Sequence, residues 1–335
     1  MRNLYFSNAP AGYRYDFYRA LARKMDCALY FEKPGETTME LPIHGFSSKD
    51  LLSLVKQFRP EVVFVPEFST TALRMLLLGK RFGFRVISFC DDSLDMIRGN
   101  DFSLKHRFAR QWLPRFLDGV ITLSPSVSQW YRNRFGLDPL WMPLIVDERR
   151  MRPDLERVLP RSEFIRISKK PVVAFVGRFV ELKNIPTLIK AFQPLRDRAQ
   201  LVLIGDGPQR AALEAIAPDA LFTGMLAGDE LLAWYNLIDI LALPSTQEAY
   251  GAVTGEALMA GAKVVVSRKA GSADLVREGE NGFVVNPMDV AGFADRIRRL
   301  LDEVPSDRPL TLRENLLPYR FETCIRNLLE KINAL

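Results

Sequence analysis

The residues best suited to chemistry lie in Leu243-Pro244-Ser245-Thr246-Gln247-Glu248-Ala249-Tyr250-Gly251-Ala252-Val253-Thr254-Gly255-Glu256, where two carboxylates flank a glycine turn. The stretch 253–260 reads as a helix closed by Gly261, a residue suited to a helix C-terminus. The helix start, at Tyr250, Gly251, Ala252 and Val253, would present free backbone N–H groups and the positive end of the helix dipole, which together bind phosphate. A carboxylate only accepts hydrogen bonds, so Glu248 and Glu256 could each hold a pair of sugar hydroxyls, one pair on a transferred sugar and one on a ribose. Either acid alone would be an ordinary loop or first-turn residue.

A second cluster, Gly177-Arg178-Phe179-Val180-Glu181-Leu182-Lys183-Asn184, follows the apolar run 172–176. Gly177 allows a tight backbone turn. Arg178 and Lys183 could neutralise a diphosphate, the first as a fork and the second as a point charge, or could simply be surface cations. The turn Gly205-Asp206-Gly207-Pro208 reads as structural punctuation.

These clusters need strands to carry them. Short apolar runs at 2–6, 28–31, 62–65, 85–89 and 119–123 predict strands in the first half. Runs at 172–176, 200–204, 220–222, 238–242, 263–267 and 282–285 do so in the second. Amphipathic segments at 186–196, 208–216, 230–237 and 290–301 separate the second set. Strand–helix alternation predicts parallel sheets with helices on both faces, and ligands at the carboxyl ends of the strands. The charged stretch 147–170, with Pro153 and Pro160, divides the chain. The expected domains are 1–150 and 165–305, with a terminal helix at about 312–335.

Bulk properties narrow the classes. The chain has 335 residues, 48% of them hydrophobic and 26% charged, as in ordinary globular proteins. No apolar run approaches the ~20 residues of a membrane helix, and the first residues lack the pattern of a secretory signal. Three scattered cysteines without a CxxC fit a reducing cytoplasm, and neither a disulfide framework nor a zinc site is expected. The first 150 residues hold 22 basic and 16 acidic residues and carry the whole net charge of +6. That excess suits an anionic partner, such as a lipid phosphate or an acidic membrane surface, or is only a solvated face. No nucleic-acid-binding module occurs, and no G-x-G-x-x-G follows a strand, so neither nucleic-acid binding nor a nicotinamide oxidoreductase is expected.

The order Gly177-Arg178…Lys183, Gly205-Asp206-Gly207-Pro208, Leu243-Pro244-Ser245 and Glu248-x7-Glu256 resembles the retaining family 4 glycosyltransferases over roughly 170–303. The likeness is weaker in the first half, where it rests on Asn8-Ala9-Pro10-Ala11-Gly12-Tyr13-Arg14, on 118–124 and on Pro143…Asp147. The resemblance implies the GT-B fold: two Rossmann-like doubly wound α/β domains facing a central cleft, with the C-terminal helix crossing back to the first. It implies transfer, with retention, of a sugar from a UDP- or GDP-linked donor to a glycan or lipid-linked acceptor in cell-surface polysaccharide or glycolipid synthesis. Arg178 and Lys183 would clamp the diphosphate, and Glu248 would bind the donor sugar. The amides near Tyr250, Gly251, Ala252 and Val253 would meet the sugar and distal phosphate, Glu256 the ribose, and Met225 and Leu226 the base. A GT-B epimerase, or a non-catalytic sugar-nucleotide binder, is the alternative.

The chain departs from the family in one respect. Many relatives carry a His after the fourth strand of the first domain, where this chain has Phe89-Cys90-Asp91-Asp92-Ser93. Asp91 or Asp92 would take that acceptor-side place, near Gly12, Tyr13 and Arg14. Asp91, Asp92 and Asp95 lack Asp-x-Asp spacing, and cations already serve the diphosphate, so no metal or other cofactor is expected. Leu104, Phe108, Trp112 and Phe116 form an i, i+4 stripe ringed by Lys105, Arg107, Arg110 and Arg115. The expectation is that this stripe packs on the sheet, with its basic face near lipid in the alternative of a peripheral membrane contact.

Overall fold

The computed structural model describes residues 3–35, 40–67, 69–99, 103–151, 170–305 and 313–335. Most of the predicted divide, including Pro153 and Pro160, lies outside them. The chain forms two units, Met1–Val146 with Phe321–Leu335, and Asp147–Arg320.

In the first unit, β1 (Asn3–Ser7), β2 (Cys27–Phe31), β3 (Ile43–Gly45), β4 (Val62–Pro66), β5 (Arg85–Cys90), β6 (Gly119–Thr122) and β7 (Leu140–Trp141) make a parallel sheet in the order β3-β2-β1-β4-β5-β6-β7. The edge strands β3 and β7 escape sequence reading because they have only three and two residues. The helices are α1 (Tyr15–Lys24), α2 (Leu51–Phe58), α3 (Thr70–Phe82), α4 (Leu94–Gly99), α5 (Leu104–Trp112) and α6 (Pro125–Phe135). Ser69 and Ser124 start α3 and α6 by accepting backbone N–H bonds, and Gly83 and Gly136 end them in the left-handed region.

In the second unit, β8 (Val172–Val176), β9 (Gln200–Ile204), β10 (Leu221–Gly224), β11 (Ile240–Leu243), β12 (Lys263–Ser267) and β13 (Gly282–Val285) form a parallel sheet in the order β10-β9-β8-β11-β12-β13. With them run α7 (Ile185–Phe192), α8 (Arg210–Ile216), α9 (Gly228–Leu237), α10 (Ala252–Met259) and α11 (Val290–Asp302). The last helix, α12 (Phe321–Ala334), returns to the first unit, where the Arg85 guanidinium donates to the carbonyl of Ile332 at 3.1 Å. Each sheet reverses its strand order once, between β1 and β4 and between β8 and β11, the places where doubly wound sheets open a crevice.

One device fixes register in both sheets. Asp118, before β6, accepts the N–H of Val86 at 2.7 Å and donates its own N–H to the Val86 carbonyl at 3.0 Å. Asp239, before β11, makes the same exchange with Val172 at 2.7 and 3.0 Å. The buried Asp239 is further balanced by Arg313 at 3.4 Å.

α5 corrects the expectation that its apolar stripe packs on the sheet. Leu104, Phe108, Trp112 and Phe116 are 79%, 65%, 52% and 52% exposed. The residue turned inward is Arg110, two positions beyond Phe108 and so about 200° round the helix. Its guanidinium bonds Asp92 and reaches Glu67 at 3.3 Å. Those charged partners at the strand ends orient the helix, and the stripe is left outward.

Asp239→Ala is expected to remove about 1–3 kcal/mol of stability, because it orphans a buried strand N–H. Asp118→Ala, at a more exposed position, should cost less. Urea unfolding followed by circular dichroism checks both, and equal midpoints for Asp239→Ala and the parent would contradict the argument.

Candidate active site

The polar loops of the second unit meet at its crevice, beyond β8 and β11. The loop after β8 is tied to its neighbours by backbone bonds. Gly177 N–H donates to Ile204 at 2.9 Å, Phe179 N–H to Asp206 at 2.8 Å, and Thr246 N–H to Leu182 at 2.9 Å. Gly205 fits only because it lacks a side chain, since a Cβ there would lie 1.9 Å from the Gly177 carbonyl oxygen. The turn 205–208 is thus structural, and it holds the β8 and β9 loops together.

Asn184 is a pin that the sequence reading passed over. Its side-chain amide donates to Pro244 at 3.2 Å and to Pro287 at 2.8 Å, joining the loops after β8, β11 and β13. It also sits in the left-handed region, at φ 51°, which asparagine tolerates. Only its residue type, polar and following a cation, could have suggested it.

With the loops fixed, the Lys183 ammonium bonds the Glu248 carboxylate across the crevice. Their side chains are 22% and 14% exposed, so the pair is largely removed from solvent. The Ser245 hydroxyl lies 3.5 Å from the same carboxylate oxygen. Gly251 precedes α10 at φ 88°, and a Cβ there would strike Leu243 at 2.8 Å and the Glu248 side chain at 3.2 Å. Glu248 therefore lies against the start of α10, which has no side-chain cap and no acid in its first turn. Ala252 and Val253 open the helix half-buried, and Tyr250 is buried beneath them.

Glu256 is on α10, just beyond the first turn. Burial raises its pKa above the ordinary value, and the Tyr235 hydroxyl, donated from α9, opposes the rise. Tyr235 was not foreseen, because nothing in its position within an apolar helix marks it. Arg178 follows Gly177 on the loop after β8. It is exposed and makes no ion pair among the described residues. Met225 is 72% exposed and Leu226 half-buried, both after β10. The structure thus brings Lys183, Glu248 and the α10 start together, places Glu256 further along the same helix against Tyr235, and leaves Arg178 and Met225 exposed on their loops.

In the first unit, Arg14 is buried and bonds the exposed Asp91, with its guanidinium 5.4 Å from the Phe89 ring. Burial works against the Arg14 charge, but Asp91 together with Tyr5, Tyr18 and Tyr13 outweighs it and holds the pKa above the ordinary value. Gly12 and Tyr13 precede it in a 3-10 turn, Tyr13 being exposed. Asp92 turns the other way, to Arg110. The Tyr131 hydroxyl completes this second group by donating to Glu67 at 3.1 Å. Burial pushes the Glu67 carboxyl up to about 8, with Arg110 opposing and Asp92 adding to the rise. Ligand atoms of Glu67, Cys90 and Asp92 lie within 4.8 Å of one another, but the Arg110 guanidinium already supplies the positive charge beside both acids. His106, on α5, comes within 3.3 Å of Arg110, so an imidazole reaches this end of the sheet from a helix rather than from the strand. The three cysteines are free and buried.

With this geometry in view, the family described as "Glycosyl transferases group 1" matches residues 170–303, which is most of the second unit. A GDP-mannose-dependent alpha-mannosyltransferase of Corynebacterium glutamicum is 35% identical over 144 residues, covering 43% of this chain and 34% of that protein. A GDP-mannose-dependent alpha-(1-6)-phosphatidylinositol monomannoside mannosyltransferase of Mycobacterium tuberculosis is 32% identical over 226 residues, covering 61% of this chain and 58% of that one. The chain therefore spans well under two thirds of the length of these relatives. The crystal structure of Anabaena Alr3699/HepE in complex with UDP and glucose superposes over 100% of both chains with a TM-score of 0.79 at 16% identity. The fold is GT-B, and residues 170–303 of the second unit are similar to the glycosyl transferases group 1 family.

The Glu67 proton gives a pH test. The folded protein holds it between about 4.5 and about 8, where the unfolded chain has lost it. Stability from this group is therefore fully present below 4.5 and lost as pH rises through 8. The parent's melting temperature should fall from pH 5 to pH 8.5 more steeply than that of Glu67→Gln, and parallel slopes would contradict the assignment.

Proposed function

We propose that this chain is a retaining glycosyltransferase that moves a sugar from a UDP- or GDP-linked donor to a glycan or lipid-linked acceptor. The reaction would run at the cytoplasmic face of a membrane, in polysaccharide or glycolipid synthesis. The observation that carries the reading is the Lys183–Glu248 pair held against the uncapped start of α10, with Glu256 further along the same helix. The relatives named as GDP-mannose-dependent and the neighbour holding UDP and glucose support a nucleotide-sugar donor. The basic first 150 residues support an anionic or membrane-borne acceptor. Among the described residues, no helix is long and apolar enough to cross a membrane, so that contact would be peripheral.

The chemistry follows from charge. Cleaving the donor leaves a nucleoside diphosphate and a sugar ring that is developing positive charge. An arriving diphosphate competes with Glu248 for Lys183, and the α10 N–H groups bind its distal phosphate. Glu248, released from the lysine, takes the hydroxyls of the donor sugar. Glu256 takes the ribose diol, and Tyr235 holds its second oxygen in place. Arg178, exposed and without an ion pair among the described residues, closes on the diphosphate as it binds. With two cations and a helix start serving the phosphates, the reaction needs no metal. The leaving phosphate accepts the acceptor's proton on the same face of the sugar, which gives retention.

Lys183→Ala and Glu248→Ala should each lower kcat about 10²–10³-fold, as loss of groups that meet developing charge does. Glu256→Ala should mainly raise the donor KM. Transfer should be unchanged by EDTA. Chromatography of products from a panel of UDP and GDP sugars with lipid-linked acceptors reads all of these, and normal turnover by Lys183→Ala would overturn the site.

A further inference from the structure

The first unit exposes apolar side chains that its own core does not use. On α5 and the turn after it these are Leu104, Phe108, Trp112 and Phe116. On α3, Leu73 and Leu77 are 49% and 64% exposed. Lys80, on the same stripe of α3, places its ammonium 5.0 Å from the Phe116 ring centroid, so the two apolar faces adjoin. Contiguous exposure of this kind marks an interaction surface.

The charge around it selects the partner. Residues 103–117 contain Lys105, Arg107, Arg110 and Arg115 and no acid. Beside α5, cavities of about 410 and 240 Å³ share Trp130 and Arg134; the first adds Arg98 and the second Arg107. Neither lining holds an acid. Arg98, Arg107 and Arg134 are exposed and have no ion pair among the described residues. A second copy of the chain would bring the same cations face to face across a twofold axis, which disfavours self-association. An anionic surface instead meets the cations while its apolar layer takes the aromatic rings. At nine residues α5 is far too short to span a bilayer, so it would lie in the plane of the surface.

We infer that α5 and α3 dock this protein on an anionic phospholipid bilayer, with Phe108 and Trp112 entering the interface and Arg98, Arg107 and Arg134 holding headgroup phosphates. This deepens the peripheral contact proposed above and does not depend on the transfer reaction. It also gives the seating of Arg110 a purpose. Arg110 ties α5 to Glu67 and Asp92, at the ends of β4 and β5, so the docked helix is held at the end of the sheet that carries Arg14 and Asp91.

The test is flotation of the whole chain with vesicles of phosphatidylcholine alone, or of equal parts phosphatidylcholine and phosphatidylglycerol. Binding is expected only to the anionic vesicles and should weaken in high salt. Phe108→Ser/Trp112→Ser and Arg98→Glu/Arg107→Glu/Arg134→Glu should each lower the affinity about tenfold or more, as binding scales with apolar area and surface charge. These side chains are exposed, so circular dichroism and melting should be unchanged. A blue shift of emission on binding should vanish in Trp112→Phe. A donor-induced thermal shift, measured without vesicles, should survive in every variant and reports separately on the donor site. Equal binding by the variants, no flotation, or a dimer that Phe108→Ser/Trp112→Ser dissociates would overturn the inference.

Discussion

The crevice of the second unit depends on how closely its loops approach one another. The backbone after β9 lies against the backbone after β8 so tightly that a single methyl group at Gly205 would occupy the Gly177 carbonyl. Gly251 also brings the start of α10 close to Leu243 and Glu248, at 2.8 and 3.2 Å from where a Cβ would stand. The Gly205 contact is backbone to backbone, so it leaves little freedom for drift between those two loops. Lys183 and Glu248 stand 65 positions apart in sequence, yet they meet because the loops beneath them cannot move independently. Asn184 extends the same constraint to the loop after β13.

The charged groups that result are stored in pairs. Burying a lone cation or carboxylate is costly, and a neutral pair lessens the cost. Lys183 with Glu248 follows this rule in the second unit, and Arg14 with Asp91 follows it in the first. The Lys183 pair differs from a purely structural one such as Asp239 with Arg313. Its lysine is joined to the acid beside a helix start that has no side-chain cap, and not before a strand at the closed end of a sheet. In the proposed reaction a phosphate offered there would gain the helix start and the ammonium together, and the displaced carboxylate would find new donors in a sugar. A pair with nothing better to exchange for would remain shut.

Much of this was legible in the sequence. The central strands are apolar runs of four to six residues bounded by turns, so β8, β9, β12 and β13 fall where the periodicity places them. Glu248, Gly251 and Glu256 declare themselves because polar and glycine residues interrupt an apolar pattern just where a strand should end. β3 and β7 were not legible, since edge strands of two or three residues need only one neighbour and little apolar content. Tyr235 and Arg110 were not legible either, and for a common reason. Each sits inside a helix whose period explains it as packing or solvation, and its partner, Glu256 or Glu67, lies more than twenty residues away in sequence.

α5 shows how a correct pattern can be assigned the wrong face. Its i, i+4 stripe is real, but periodicity reports only that one side of a helix is apolar, not which side meets the protein. The decision was made by a charge. Burying Arg110 between Glu67 and Asp92 gives Asp92 a counter-charge and the enclosed Glu67 a hydrogen-bond donor at the ends of β5 and β4, and four apolar side chains in water are tolerable beside leaving those groups without a partner. An exposed stripe on a helix that is anchored by a salt bridge therefore belongs to a different class from one on a helix with nothing underneath. The anchored helix holds its apolar face at a fixed angle, which is what a docking surface requires. The same arginine that defeats the packing expectation makes the exposed face rigid enough to work.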